Sequence, residues 1–129
     1  MSDRELLELA AKAAGLDGHF RELRSASRDH FRQIRYKSRE AFVTKGLVWD
    51  PLNDDGDALR LAVKLDLSII TSWGFDGKPS GSVGAMLGSS EDLRLTNTKH
   101  NDDPCAAWRR TIVIAAAEIG KSWQENPDV

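Results

Sequence analysis

The pattern of apolar and polar positions predicts three helices separated by extended segments. Apolar residues recur at helical spacing from Leu6 to Ala14, after Ser2 and Glu5 at the spacing of a capping box and before Gly15, a residue that commonly ends helices. The first helix is therefore predicted over residues 3–14.

The second and third helices are each predicted beside a proline. Pro51 stops the preceding strand, so that Asn53 or Asp54 caps a helix that continues to Leu65. Pro104, after the capping residue Asp103, begins the strongest helix, which is predicted over residues 104–121 with Gly120 near its end.

The predicted strands lie between these helices. β-branched and aromatic residues favour strands at 41–49, with Lys45-Gly46 as a bulge or turn, and at 67–73, while alternation favours one at 92–96. Five glycines and Pro79 predict a long surface loop over residues 74–90, in which Val83 to Leu87 are apolar enough for a short strand or turn. A polar connection is expected over 97–103.

The segment from His19 to Lys45 fits two interpretations. Phe20, Leu23, Phe31 and Ile34 have a spacing compatible with one helix face, whereas the residues from Ile34 to Ser38 alternate as in a strand. We favour strands joined by a turn near residues 25–29, where the local composition continues a helix poorly.

These elements predict an α+β fold. The expected arrangement is a single domain over residues 1–129, with a core at about 3–121 and a loose tail at 122–129. In it, a three- to five-stranded, mainly antiparallel sheet is packed by the N-terminal helix, a short central helix and a long C-terminal helix.

Composition narrows the class without identifying an activity. With 129 residues, 40% hydrophobic and 29% charged, the chain resembles an ordinary soluble domain, and a net charge of −2 argues against a whole-molecule nucleic-acid binder while leaving a local basic face open. No apolar stretch approaches the length of a membrane span, and we expect a cytoplasmic protein without membrane association. Cys105 is expected to be small, buried and inert, and Trp108 to belong to the core.

The basic segment supplies the candidate ligand-binding residues. From His19 to Lys45 there are eight lysines and arginines against three acidic residues, and guanidinium groups match phosphate oxygens. The alternative to a ligand-binding role is that these residues form a solvated basic face without a ligand. With aromatic residues for stacking and one arginine of the last helix, the candidates are Arg21, Arg24, Arg28, Arg32, Arg35, Tyr36, Trp49 and Arg109.

The acidic run after Trp49 has a structural and a chemical interpretation. Carboxylates in the first turn of a helix stabilise its positive end, whereas a metal or acid/base cluster would be expected to have a histidine nearby, and Pro51 interrupts the calcium-loop pattern. We favour capping, and predict no catalytic residue, no metal and no cofactor. The predicted capping or structural residues are Asp50, Pro51, Asn53, Asp54, Asp57, Asp103 and Pro104.

One family resemblance emerges from these motifs. Trp49-Asp50-Pro51, Asn53, Asp57-Ala58, Ile69-Ile70 and Asn101 to Pro104 followed by Ala106-Ala107-Trp108-Arg109 together resemble the phage NinX-like family, over about residues 47–121. The resemblance implies a phage or prophage accessory protein in the host cytoplasm. The family is one of uncharacterised function and supplies no catalytic residues.

Three functional hypotheses follow. The first is a binding protein, not an enzyme, that counters a host defence or regulatory system by sequestering a small anionic nucleotide or occupying a host protein; nucleic acid is a less favoured partner. The second is a metal-dependent enzyme of nucleotide or nucleic-acid metabolism that uses Asp54 and Asp57. The third is a structural, homo-oligomeric phage protein.

Overall fold

The predicted α+β class is confirmed by a computed structural model, which describes residues 1–28, 30–73, 79–87, 94–99 and 103–125. Its elements are α1 (Asp3–Ala13), β1 (Gly18–Arg28), β2 (Ile34–Thr44), β3 (Leu47–Trp49), α2 (Asp55–Lys64), β4 (Leu67–Trp73), β5 (Pro79–Leu87), β6 (Arg94–Lys99) and α3 (Pro104–Glu125). The strands form two three-stranded sheets rather than one.

The chain divides into two compact units. Asp17–Trp49 form one, called here the ribbon unit, and Met1–Leu16 with Asp50–Val129 form the other, called the helical unit. The expectation that residues 1–129 make one domain stays a prediction.

In the helical unit, local sequence fixes both ends of α1. The Ser2 side chain accepts a hydrogen bond from the Glu5 N–H at 3.2 Å, and Gly15 takes a left-handed φ of +70° just after the helix. The buried residues of α1 are Leu6, Leu7, Ala10, Ala11 and Ala13.

α1 packs against α3 through small side chains. Ala10, Ala116 and Ala117 are almost fully buried, and a Cβ atom at Gly120 would collide with the carbonyl oxygen of Leu9. The prediction that Gly120 stops the last helix is therefore wrong: α3 continues to Glu125, and Gly120 serves the close approach of the two helices. The tail predicted from 122 is likewise helical to Glu125, and residues 126–129 lie outside the described residues.

The sheet of the helical unit has the antiparallel order β4, β5, β6. β4 spans the predicted residues. The loop predicted over 74–90 is wrong for 79–82, and the strand or turn allowed over 83–87 is a strand, because 79–87 form the central strand β5; 74–78 and 88–90 lie outside the described residues. β6 includes residues 97–99, which had been assigned to a connection. α3 packs on β5 and β6, where Ala85 is fully buried.

The ribbon unit is a meander of β1, β2 and β3. β1 pairs with β2 over eleven consecutive residue pairs, from Gly18 with Thr44 to Arg28 with Ile34. The helical alternative for this segment is excluded, and the turn follows Arg28 instead of lying at residues 25–29. Lys45 and Gly46, with φ of +52° and +77°, form the second turn, because two positive φ angles match a tight hairpin.

Two further expectations of burial are wrong. Cys105 is exposed in the first turn of α3, and Trp108, one turn later, is 38% exposed. In the part of the chain that the structure describes, no helix combines the length and apolar character that a membrane crossing requires.

Candidate functional site

The basic residues of β1 and β2 have exposed side chains. All side chains of β2 from Ile34 to Glu40 are exposed, and so are those of β1 from Glu22 to Arg28 except half-buried Leu23. The Arg21 side chain is exposed as well, and we call residues 21–28 and 30–40 the basic ribbon. Both faces of the strand pair are open to solvent here. Burial of side chains in a core therefore does not account for the residue types found in the ribbon.

An aromatic ladder anchors the base of the ribbon. The ring centroids of Phe20 and Phe42 are 5.5 Å apart, and those of Phe42 and Trp49 5.7 Å, in edge-to-face arrangements across three strands. Trp49 is buried, with 9% of its surface exposed. Its proposed stacking role is therefore corrected to a packing role.

The strand register sorts the ribbon charges onto two different faces. Residues paired across two antiparallel strands share a face, and successive residues alternate between faces. One face thus receives Arg21 opposite Ala41, Arg39 opposite Leu23, Lys37 opposite Ser25 and Arg35 opposite Ser27. We call these four cations the basic face; within residues 18–28 and 34–44, no acidic side chain falls on it.

The opposite face carries the remaining strand arginines with an equal number of acids. Glu22 and Glu40 are directly paired, and Arg24 and Arg28 follow on the same face. The Arg24 guanidinium carbon lies 4.9 Å from the centroid of the Tyr36 ring, a cation–π distance. The two glutamates therefore balance the two arginines, and this face of the ribbon has no net charge.

The turn of the ribbon presents an aromatic pair. The rings of His30 and Phe31 are 4.1 Å apart between centroids, and Phe31 is 73% exposed. Arg32 follows with a left-handed φ of +61°. Arg32 thus belongs to the turn and to neither strand face.

In the helical unit, the acidic motif is a hydrogen-bonded cap around a buried proline. Asp54 is the N-cap of α2 and accepts from the Asp57 N–H at 2.8 Å, while Asp57 accepts from the Asp50 N–H at 2.9 Å. Asp50 accepts from the Asn53 side chain at 3.1 Å, and Pro51 is fully buried. These bonds give the motif a structural role.

The start of α3 is capped in the same way as the start of α2. Asp103 precedes Pro104 and accepts from the Ala106 N–H at 3.0 Å. Asp54, Asp57 and Asp103 therefore each accept a hydrogen bond from a backbone N–H group. Within the described residues, no group of three or more His, Cys, Asp or Glu is placed to hold a metal ion.

Arg109 ties α3 to the acidic motif. Its Nε donates to the Leu52 carbonyl at 2.9 Å and its Nη1 to Asp55 at 2.7 Å, and its side chain is 17% exposed. The hydrogen bond to Asp55 raises the pKa of the guanidinium above its ordinary value despite opposing desolvation, so Arg109 stays charged. Arg110 instead pairs with Asp3 at 3.1 Å.

The candidate residues therefore separate into groups with different roles. Arg21 and Arg35 share the basic face, Arg24, Arg28 and Tyr36 share the other, and Arg109 belongs to the helical unit. Lys37 and Arg39 were missing from the predicted site. Their alternation with Arg35, every second residue, was the signal that would have placed all three on one strand face.

Comparisons with known proteins add no assignment to this geometry. The chain matches no family model, no curated protein and no solved structure. The resemblance to the NinX-like family stays a prediction, and the class that can be stated is an α+β protein with an exposed basic β-ribbon.

Proposed function

We propose that the protein acts by binding, and that the basic face of the ribbon contacts the phosphates of a nucleic acid. The observation that carries the proposal is the sorting of Arg21, Arg35, Lys37 and Arg39 onto one exposed face while Glu22 and Glu40 fall on the other. Four positively charged side chains on one exposed face produce a local positive potential. A polyanion is attracted by that potential and releases its own counterions.

The extent of the basic face favours a polymer over a single nucleotide. Arg35 and the partner of Arg21, Ala41, are six residues apart on β2, which corresponds to about 20 Å at the usual rise per residue. One nucleotide concentrates its phosphates within a much shorter distance. A two-stranded ribbon also has the width that a DNA major groove admits, about 12 Å.

This proposal revises the order of the ligands expected from the sequence. The sequence favours sequestration of a small anionic nucleotide when the arginines are treated as one set, whereas the strand register divides them between two faces. The phage context and an action against a host system depend on the family resemblance and add nothing to the physical argument. Enzymatic use of Asp54 and Asp57 has less support, because both carboxylates accept backbone hydrogen bonds.

The test is a salt titration of binding to fluorescent duplex DNA, duplex RNA and single strands, with mono- and cyclic nucleotides as competitors. For duplex DNA, four phosphate contacts predict that the logarithm of the association constant falls with the logarithm of the salt concentration with a slope near −3.6. This slope corresponds to a roughly hundredfold loss of affinity between 50 and 200 mM salt. The variant Arg35→Gln/Lys37→Gln/Arg39→Gln is expected to reduce the slope by about 2.7 units, since each contact contributes about 0.9.

The matched control uses the other face of the same ribbon. Arg24→Gln/Arg28→Gln is expected to change the slope by less than about one unit, and Arg4→Gln in the helical unit not to change it. The proposal fails if none of the nucleic acids binds at low salt, or if the two ribbon variants lose affinity equally. Displacement of DNA by micromolar mononucleotide would restore the small-ligand hypothesis.

A further inference from the structure

The helical unit contains a cavity that the proposed function does not use. It has a volume of about 510 Å³ and lies between α2, the start of β4 and the first half of α3. Its walls are mainly apolar and include Leu59 and Val63 of α2, Leu67 of β4, and Trp108 and Ile112 of α3. This volume lies inside the range of small-molecule sites, about 300–1,000 Å³.

Three of the apolar residues that line the cavity have unusually large exposed surfaces for apolar side chains. Leu59 is 64% exposed, Val63 71% and Trp108 38%. Leu59 and Val63 lie one turn apart on α2, and Trp108 lines the same cavity from α3, so one molecule between the helices would cover all three. Covering apolar surface stabilises a complex by about 25 cal/mol per Å² before the costs of binding.

One end of the cavity is polar, and hydrogen bonds within the protein fix the orientation of its side chains. Arg109 and Asp55 both line it, and their mutual hydrogen bond of 2.7 Å and the bond from Arg109 to the Leu52 carbonyl hold the guanidinium still. These bonds use Nε and Nη1, and the Nη2 amino group of the same guanidinium carries two further donors. An oriented donor beside apolar walls is the arrangement that fixes a ligand's direction.

We propose that this cavity binds a neutral, mainly apolar small molecule that directs one hydrogen-bond acceptor toward Arg109 and lays its flat body against the Trp108 indole. Neutrality follows from the charge balance at the polar end, because Asp55 already compensates Arg109 and a ligand carboxylate would have to displace it. The proposal is independent of nucleic-acid binding, since every residue that it uses belongs to the helical unit.

The test uses Nile red, a neutral apolar dye whose fluorescence rises in apolar surroundings, with the whole protein. We expect saturable binding of one dye per chain. Cys105 lines the cavity from the exposed first turn of α3 and is the single cysteine of the chain, so a bound dye is expected to slow its alkylation by iodoacetamide at least fivefold.

Cys105→Phe places a ring in the cavity without entering the core and is expected to weaken dye binding at least tenfold. Glu118→Phe, at another exposed position of α3 outside the cavity lining, is the matched control and is expected to bind dye as the native chain does. Light scattering on the same samples reports whether a second copy covers the cavity instead.

Three results would overturn the proposal. One is absence of saturable binding at micromolar dye. Another is equal binding by the Cys105→Phe and Glu118→Phe variants, which would place the dye elsewhere on the surface. The third is a dimer that excludes the dye and that Cys105→Phe dissociates, because the natural occupant would then be another copy of the chain.

Discussion

Residues 17–49 carry eight lysines and arginines against four acidic residues, whereas the rest of the chain carries ten against sixteen. The two parts therefore have net charges of +4 and −6, which the whole-chain value of −2 conceals. The ribbon unit places four of its eight lysines and arginines on one exposed strand face, whereas Arg109 of the helical unit is held by hydrogen bonds beside a cavity. Whole-chain charge is thus a poor guide to the partner of either unit.

The two units also differ in what side-chain packing contributes to them. In the helical unit, Thr111, Val113 and Ala115 of α3 are fully buried. In the basic ribbon, most of the paired length has no buried side chain on either face. A two-stranded ribbon without a packed face is marginally stable in water, so the helical unit is expected to resist opening far better.

Hydrogen exchange gives the largest expected contrast between the units. Amides of residues 24–28 and 34–38 are expected to exchange with protection below about a hundredfold, because the ribbon opens locally. Amides near Val113 are expected to exchange at least about ten-thousandfold more slowly than an unfolded chain, since they open only with global unfolding. Exchange followed by NMR measures both, and equal protection in the two units would remove the distinction.

Gly120→Ala tests the close packing of α1 on α3. The added methyl group meets the Leu9 carbonyl oxygen, and we expect a loss of about 1–3 kcal/mol in the free energy of unfolding despite the better helix propensity of alanine. Gly56→Ala is the matched control. Its Cβ meets the flexible end of Arg60 at 3.1 Å, and urea unfolding should show no loss, or a gain of up to about 1 kcal/mol.

Neighbouring arginines of α3 offer a second internal comparison. Arg109→Met removes the bonds to Leu52 and Asp55 and is expected to lower the free energy of unfolding by about 1–3 kcal/mol. Arg110→Met removes an exposed pair with Asp3 and should cost less than about 1 kcal/mol. Urea denaturation of the two variants decides whether Arg109 has a structural role, and equal losses would contradict it.

The smallest predicted effect concerns the paired glutamates of the ribbon. Glu22 and Glu40 are direct cross-strand partners, and like charges in that position destabilise a sheet by about 0.2–1 kcal/mol. Glu22→Gln is therefore expected to slow exchange of the ribbon amides by about 1.4- to 5-fold, while Glu118→Gln in α3 leaves them unchanged. Faster exchange in Glu22→Gln would show that the carboxylate stabilises the ribbon instead.

Sequence patterns predicted the elements whose signals are local. Ser2 and Gly15 delimit α1, Asp54 caps α2, and the β-branched run at 67–73 forms β4 in full. Each depends on neighbouring residues along the chain, so no knowledge of the tertiary structure was needed.

Features fixed by tertiary contacts were not predicted. Residues 79–82 of β5 are predicted as a loop because glycine and serine disfavour strands, yet pairing on both sides makes β5 the central strand of its sheet. Gly120 resembles a helix stop, but its role is set by Leu9, more than a hundred residues away. The alternation of Arg35, Lys37 and Arg39 is visible in the sequence, but the β1 residues that lie opposite them depend on the pairing register, and the predicted turn lay about four residues too early to give it.

The uninterrupted register of β1 and β2 also constrains how this protein can change over generations. Inserting one residue into either strand before the turn would reverse the facing of every side chain beyond it and mix the glutamates with the cations. Adding two residues to each strand instead would lengthen the ribbon with both faces preserved. Lineages are therefore expected to vary the reach of this surface in steps of two residues per strand, each step adding contacts while leaving the helical fold untouched.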